Sequence, residues 1–280
     1  MVITMNDTDL GIRVDLDALY DFLKITSNFQ DDVVMNLSPD AIKVNAVDSA
    51  HVYMVSHKLK LSRSKKIEHI KFAMPISGIV TLLKVIKKFD DPFDPLTKMK
   101  YVELEKIHKN KLYVKINGVT RLVGIDEPTT AVNPKIPTLD KNSLKGHLKI
   151  DSTYLEMVLN AFSNESDLVK FEIREPDIKN DWDARIYIIG DERYLVCKLK
   201  DGIGIHPFKE CHIEFDGSGS VASVYGIDYL LDIIKSFPHT QELLIHIGDD
   251  YPIKIEYKFA YTHDEIEGVV MVAPRLIEEG

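Results

Sequence analysis

Leu16, Leu19, Tyr20 and Leu23 recur at i, i+3, i+4 and i+7 behind Asp15. That spacing predicts an amphipathic helix over residues 15–29, with Asp15 as its N-cap. A short apolar stretch at 10–14 precedes it as a strand. Residues 32–37, 41–47, 51–61 and 67–73 are rich in Val and Ile with polar alternation, so each predicts a strand. A second helix is expected over 75–89, opened by Pro75 in its first turn. Strands at 100–105, 111–116 and 119–125 follow. The second half of the chain runs the same way: a strand at 147–150, a helix at 152–163, strands up to Lys200, a helix at 225–237 and three terminal strands ending at Ala273.

The likeness of the halves extends to residue identity. SGIVTLLKVIKKF (77–89) and YGIDYLLDIIKSF (225–237) share seven of thirteen positions at an offset of 148. Ser27-Asn28 with Asp31, Val33 and Leu37 matches Ser163-Asn164 with Asp167, Val169 and Ile173 at an offset of 136. DAIKVNAVD (40–48) matches DARIYIIGD (183–191) at 143. Three matches in one order mean duplication. The expected fold is therefore α+β: two similar domains, each with two helices packed on one face of antiparallel sheets. They span residues 1–125 and 147–280. Between them, residues 126–146 carry Pro128, Pro134 and Pro137, which resist helix and central strand alike, and form an extended connector.

Composition narrows the function. The apolar share is 45%, and no run approaches the ~20 residues that cross a bilayer. The polar start of the chain does not resemble a signal peptide. Cys197 and Cys211 suit a reducing compartment, cytosolic or nuclear, and make neither a disulfide framework nor a metal knuckle. A net charge of −9 means that any contact with nucleic acid is confined to a local basic face.

VDSAHVYMV (47–55), ITSNFQDDV (25–33), DDYPIKIEYKF (249–259) and VVMVAPRLIEEG (269–280) resemble, in order, the archaeal form of the proliferating cell nuclear antigen family of sliding clamps. The resemblance runs through nearly the whole chain and includes the repeat and the connector. It implies three subunits joined head to tail in a ring of six similar domains, with helices lining a hole for duplex DNA. Such rings are opened by an ATP-dependent clamp loader and hold DNA polymerase and other clients. Lys24, Lys84, Lys87, Lys88 and Lys235 would face the DNA. Lys84, Lys87 and Lys88 fall on the side of their helix opposite Ile79, Leu82 and Ile86, a spacing shared by ordinary solvated helix faces.

By the same resemblance, client peptides would anchor on Val47, His51, Val52, Met54, Ile136, Pro137, Pro252, Met271, Ala273, Pro274, Arg275 and Leu276. Anchors of this kind carry most of the energy of such contacts. Ring closure would join Val119, Arg121, Val123 and Ile125 to Arg193, Leu195, Cys197 and Leu199 on strand edges. The helix at 152–163 has no basic residue, and the first helix carries Asp15, Asp17 and Asp21. The ring hole of a homotrimer would be unevenly charged, so a place in a heterotrimeric replication or checkpoint clamp is the alternative.

No motif asks for catalysis, a cofactor or a metal. The ten histidines form neither HxH nor HExxH, and Gly202-Ile203-Gly204 lacks the rest of a phosphate loop. No serine lies in GxSxG. The alternative of another class is a monomeric α+β enzyme or small-molecule-binding domain.

Overall fold

The structure is a computed structural model that describes residues 10–62, 69–88, 101–108, 111–116, 118–127, 134–174, 183–188, 196–200, 211–216 and 219–276. The chain divides into two compact units. The first holds Met1–Ala46, Ser56–Lys135 and Ala260–Glu267; the second holds Val47–Val55, Ile136–Phe259 and Gly268–Gly280.

The first unit begins with β1 (Leu10–Asp15) and α1 (Leu16–Ser27). Asp15 caps the helix, its carboxylate accepting from the amides of Asp17 at 2.9 Å and Ala18 at 3.3 Å. Leu16, Leu19, Phe22 and Leu23 are buried, whereas Tyr20 is half-buried and looks towards the second helix. Phe22 thus takes the core place that periodicity offered to Tyr20. Strands β2 (Asp32–Leu37), β3 (Ala41–Val47), β4 (Tyr53–Lys60) and β5 (Ile70–Pro75) form the antiparallel order β5-β2-β3-β4.

Helix α2 spans Ser77–Lys88. Pro75 does not open it, contrary to expectation. That residue ends β5 opposite Asp32, and the helix starts where the Asp31 carboxylate takes the Ser77 amide at 2.7 Å. Its core residues are Ile79 and Leu83, with Leu82 and Ile86 only half-buried. Packing against α1 as well as the sheet turns the buried stripe away from the one that spacing suggested. Strands β6 (Tyr101–His108), β7 (Lys111–Ile116) and β8 (Val119–Gly124) join β1 in the order β1-β6-β7-β8. The β7–β8 turn uses Gly118 at φ 80, a left-handed conformation that glycine adopts without penalty.

The second half of the chain repeats this plan. It comprises β9 (Gly146–Asp151), α3 (Ser152–Ser163), β10 (Leu168–Arg174), β11 (Asp183–Ile188), β12 (Val196–Lys200) and β13 (His212–Phe215). Then come β14 (Ser220–Gly226), α4 (Ile227–Ser236), β15 (Glu242–Ile247), β16 (Ile253–Ala260) and β17 (Glu265–Val272). Asp151 caps α3 as Asp15 caps α1, accepting from Thr153 and Tyr154. Helix α4 begins two residues later than its spacing predicts. Tyr225 and Gly226 belong to β14, where Tyr225 pairs with Val169 and its hydroxyl donates to the Tyr251 carbonyl at 2.9 Å.

Strand order carries the duplication further than sequence does. The order β14-β10-β11-β12 restates β5-β2-β3-β4, and β9-β15-β16-β17 restates β1-β6-β7-β8. Strand β17 is therefore the counterpart of β8, and β4 that of β12. Helices pair within each unit, α1 with α2 and α3 with α4.

One exposed turn stores strain. Thr240 sits at φ 59, a region that β-branched residues rarely enter. Its amide donates to the Thr153 hydroxyl at 2.8 Å, a bond that any residue other than proline keeps. Thr240→Asn is expected to raise unfolding free energy by about 1 kcal/mol in urea titration; an unchanged midpoint would mean that the turn bears no strain.

Candidate functional site

Three surfaces gather the residues that the sequence singles out. The first is formed by the helices, taken unit by unit. Lys84 and Lys88 are exposed on α2, one turn apart, and Lys24 is half-buried in the last turn of α1. Lys87 points elsewhere. Its ammonium lies 2.6 Å from the Asp17 carboxylate and 4.5 Å from the centre of the Tyr20 ring, both on α1. Asp21, one turn beyond Asp17, is 9% exposed and accepts from the Tyr261 hydroxyl at 2.8 Å. Burial raises its pKa, and the Lys87 charge is the strongest influence pulling it back. In the second unit Lys235 is exposed on α4, in a row with exposed Asp228 and Asp232. Helix α3 exposes Met157 and Ala161, and no basic residue.

The second surface lies wholly in the second unit and is built around Asp48. Its buried carboxylate accepts three amides, from Ala50 at 2.9 Å, Val52 at 2.7 Å and Tyr53 at 2.8 Å. That cradle holds His51 in the left-handed region at φ 56, so β4 begins at Tyr53 and not at His51 as predicted. Val52 then accepts from the Ala273 amide at 2.7 Å, which draws the tail after β17 alongside. One step on, the Arg275 amide donates to Val224 at 2.7 Å, and its guanidinium lies 5.7 Å from the Tyr229 ring. Tyr229 in turn packs on Tyr53 with ring centres 5.2 Å apart.

The connector reaches the same unit. Asp140 caps a short 3-10 turn (Lys141–Ser143), and its amide donates to the Tyr251 hydroxyl at 3.0 Å, next to Pro252. The structure therefore ties together the segments bearing Val52, Pro252, Ala273 and Arg275, and anchors the connector four residues after Ile136. Val47, Val52, Met54, Ile136, Pro252, Ala273 and Pro274 are half-buried, and His51, Pro137 and Arg275 are exposed. Met271 is 8% exposed, so it backs the surface more than it lines it, while Leu276 is 78% exposed. Sequence reasoning overlooked Asp48, Tyr53, Tyr229 and Tyr251. Only Asp48 had a legible signal, an aspartate ahead of two small residues, which is how side-chain-capped turns are written.

The third surface comprises two strand edges. Strand β8 ends its sheet, with Val119 47% and Leu122 48% exposed. Arg121 lies against Gly78 of α2, where a side chain would collide with the guanidinium. Val123 and Ile125 face their own unit's core and are buried, and Asp126 bridges to Ala73 of β5. Strand β12, bearing Cys197 and Leu199, ends the order β14-β10-β11-β12. Arg193 and Leu195 lie outside the described residues. Among the described residues, no three His, Cys, Asp or Glu side chains gather as a cation cage.

No family model matches the chain. Curated proteins do, end to end. The DNA polymerase sliding clamp of Methanococcoides burtonii is 26% identical over 268 residues, 94% of this chain and 97% of that protein. That of Halobacterium salinarum is 25% identical over 267 residues, again 94% and 97%. Among solved structures, the PCNA chain described as "C-terminal region of FEN-1 bound to A. fulgidus PCNA" superposes with a TM-score of 0.76 at 20% identity, covering 96% of this chain and 99% of that one. PCNA from Thermococcus kodakaraensis gives 0.75 at 19%, covering 95% and 99%. The solved structures share the fold, and the curated relatives match nearly its whole length under one name; the chain has the fold of PCNA and is similar along its length to archaeal DNA polymerase sliding clamps.

Proposed function

We propose that the chain is one subunit of a trimeric ring that encircles duplex DNA and tethers DNA polymerase and other clients to it. The observation that carries this reading is a duplicated chain with two unmatched edges, found in a protein that matches sliding clamps from end to end. Strand β17 lies beside β4 in its sheet. Ion pairs Lys58–Glu267 and Lys60–Glu265 run along this couple. The counterparts of those two strands are β8 and β12, and each ends its sheet among the described residues. A free edge invites pairing. A copy that offers β8 to the β12 of the next repeats a couple the chain already makes, and three copies close the ring.

In such a ring the helices face the DNA. A few cations meeting phosphate without base contacts suit sliding, because retention comes from topology and not affinity. Loading then requires a clamp loader that spends ATP to open an edge. Clients dock by an apolar peptide on the surface around Val52, Ala273 and Leu276. Leu276 is so exposed that Leu276→Ser should leave thermal stability unchanged, yet weaken a client peptide about fivefold or more by calorimetry. Equal affinity would move the anchor elsewhere.

The scarcity of cations on α3 and α4 favours a second reading, in which this chain shares its ring with more basic sister subunits. Light scattering and primer extension with the purified chain separate the readings. A trimer that raises polymerase processivity alone supports the homotrimer. A monomer that becomes active only with sister chains supports the heterotrimer. A monomer without effect under either condition would overturn the clamp reading.

A further inference from the structure

Spacing puts Lys87 with Lys84 and Lys88 as a DNA-facing set, but the geometry separates them. Asp17, Tyr20 and Asp21 stand at i, i+3 and i+4 on α1, one stripe of that helix. Lys87 reaches across from α2 into that stripe, pairing with Asp17, covering Tyr20 and opposing the charge of Asp21. Lys84 and Lys88 point away into solvent. One ammonium cannot neutralise a carboxylate at 2.6 Å and release a counterion from a phosphate at full strength.

We propose that Lys87 is a positioning residue: it braces α1 against α2 and masks Asp17 from the duplex, leaving Lys84 and Lys88 as the pair that meets phosphate. The proposal rests on the clamp reading for its DNA part and on geometry alone for the brace. It also explains how α1 can carry acidic residues in a layer that faces DNA.

The test measures binding of the assembled protein to a short duplex across a series of salt concentrations. Replacing the ion pair with a neutral pair, Asp17→Asn with Lys87→Gln, should leave the salt slope at its original value. Lys84→Gln with Lys88→Gln should make it shallower by about one for each lysine that meets a phosphate. A neutral pair that loses about one from the slope would overturn the masking role. Melting temperatures decide the brace separately. Lys87→Gln alone should melt lower than the neutral pair, and Lys87→Arg should recover most of the loss; if single and double variants melt together, there is no brace. If the unaltered protein shows no salt-dependent binding at all, the clamp reading fails, and the melting series still settles whether Lys87 braces α1.

Discussion

If three copies close a ring through β8 as proposed, Leu122→Pro should convert the assembly into separate subunits without unfolding them. Ile116 pairs with Val119 across the two-residue turn of the β7–β8 hairpin, and the register continues through Val114–Arg121 and Leu112–Val123. In an antiparallel hairpin closed this way, residues 119, 121 and 123 turn their amides to β7, while 120, 122 and 124 turn theirs outward. Proline at 122 removes an outward donor and adds a ring where the next subunit's strand would lie, and edge strands tolerate it. Light scattering should report monomer at concentrations where the unaltered chain is assembled, and retention on circular DNA should disappear. Val123→Pro is the contrasting variant. Its lost amide belongs to the ladder with β7, so it should lower the urea midpoint clearly below that of Leu122→Pro. An intact ring with Leu122→Pro would show that β8 is not the joining edge.

Acid should destabilise the protein far more than it destabilises a His57→Gln variant. His57 is buried and stacks on Phe22 with ring centres 4.1 Å apart. The Thr26 hydroxyl gives its one proton to the Phe22 carbonyl at 2.8 Å, so its oxygen accepts from His57 Nε2, also at 2.8 Å. Burial pushes the imidazole pKa down from 6.5 to about 3. The unfolded chain takes up this proton near pH 6.5, and the folded chain does not until about 3. Stability is therefore whole above 6.5 and falls by about 1.4 kcal/mol for each pH unit below it.

His246, lowered by burial to about 4, adds a similar slope over a shorter window. Asp15 and Asp21 act in the opposite direction. Burial raises both, so the folded state holds their protons more tightly and gains as pH falls through that range. All three are common to protein and variant, so the difference in slope isolates His57. Glutamine keeps a donor for Thr26 and cannot titrate. Urea unfolding at pH 7, 6, 5 and 4 should give diverging curves; parallel curves would mean that His57 does not titrate in folding.

Local signals proved readable where neighbours in the chain supply the physics. Asp15 and Asp151 cap the helices that follow them, and α3 keeps its expected bounds, because a side-chain oxygen meeting an amide two or three residues on needs no tertiary partner. Periodicity placed most strands for the same reason. It misjudged where α2 and α4 begin, since those ends are set from far away: Asp31 takes the Ser77 amide, and β10 holds Tyr225 in its sheet. The buried stripe of α2 was misplaced by one residue because a helix that packs on two neighbours centres its core between them.

The amino-acid order alone already dictated the duplication, the α+β class and the family likeness, all of which rest on composition, period and repeated identity along the chain. Three-dimensional packing alone decided which lysine is spent. Lys87 and Asp17 are far apart in the chain and share no local pattern, yet the α1–α2 contact brings their charges to 2.6 Å. The same holds for Asp48, whose three amides only matter once Ala273 arrives beside Val52. Coulomb attraction and hydrogen bonding act over a few ångströms, so a pair remote in the chain becomes a pair only when the core has folded and set its distance.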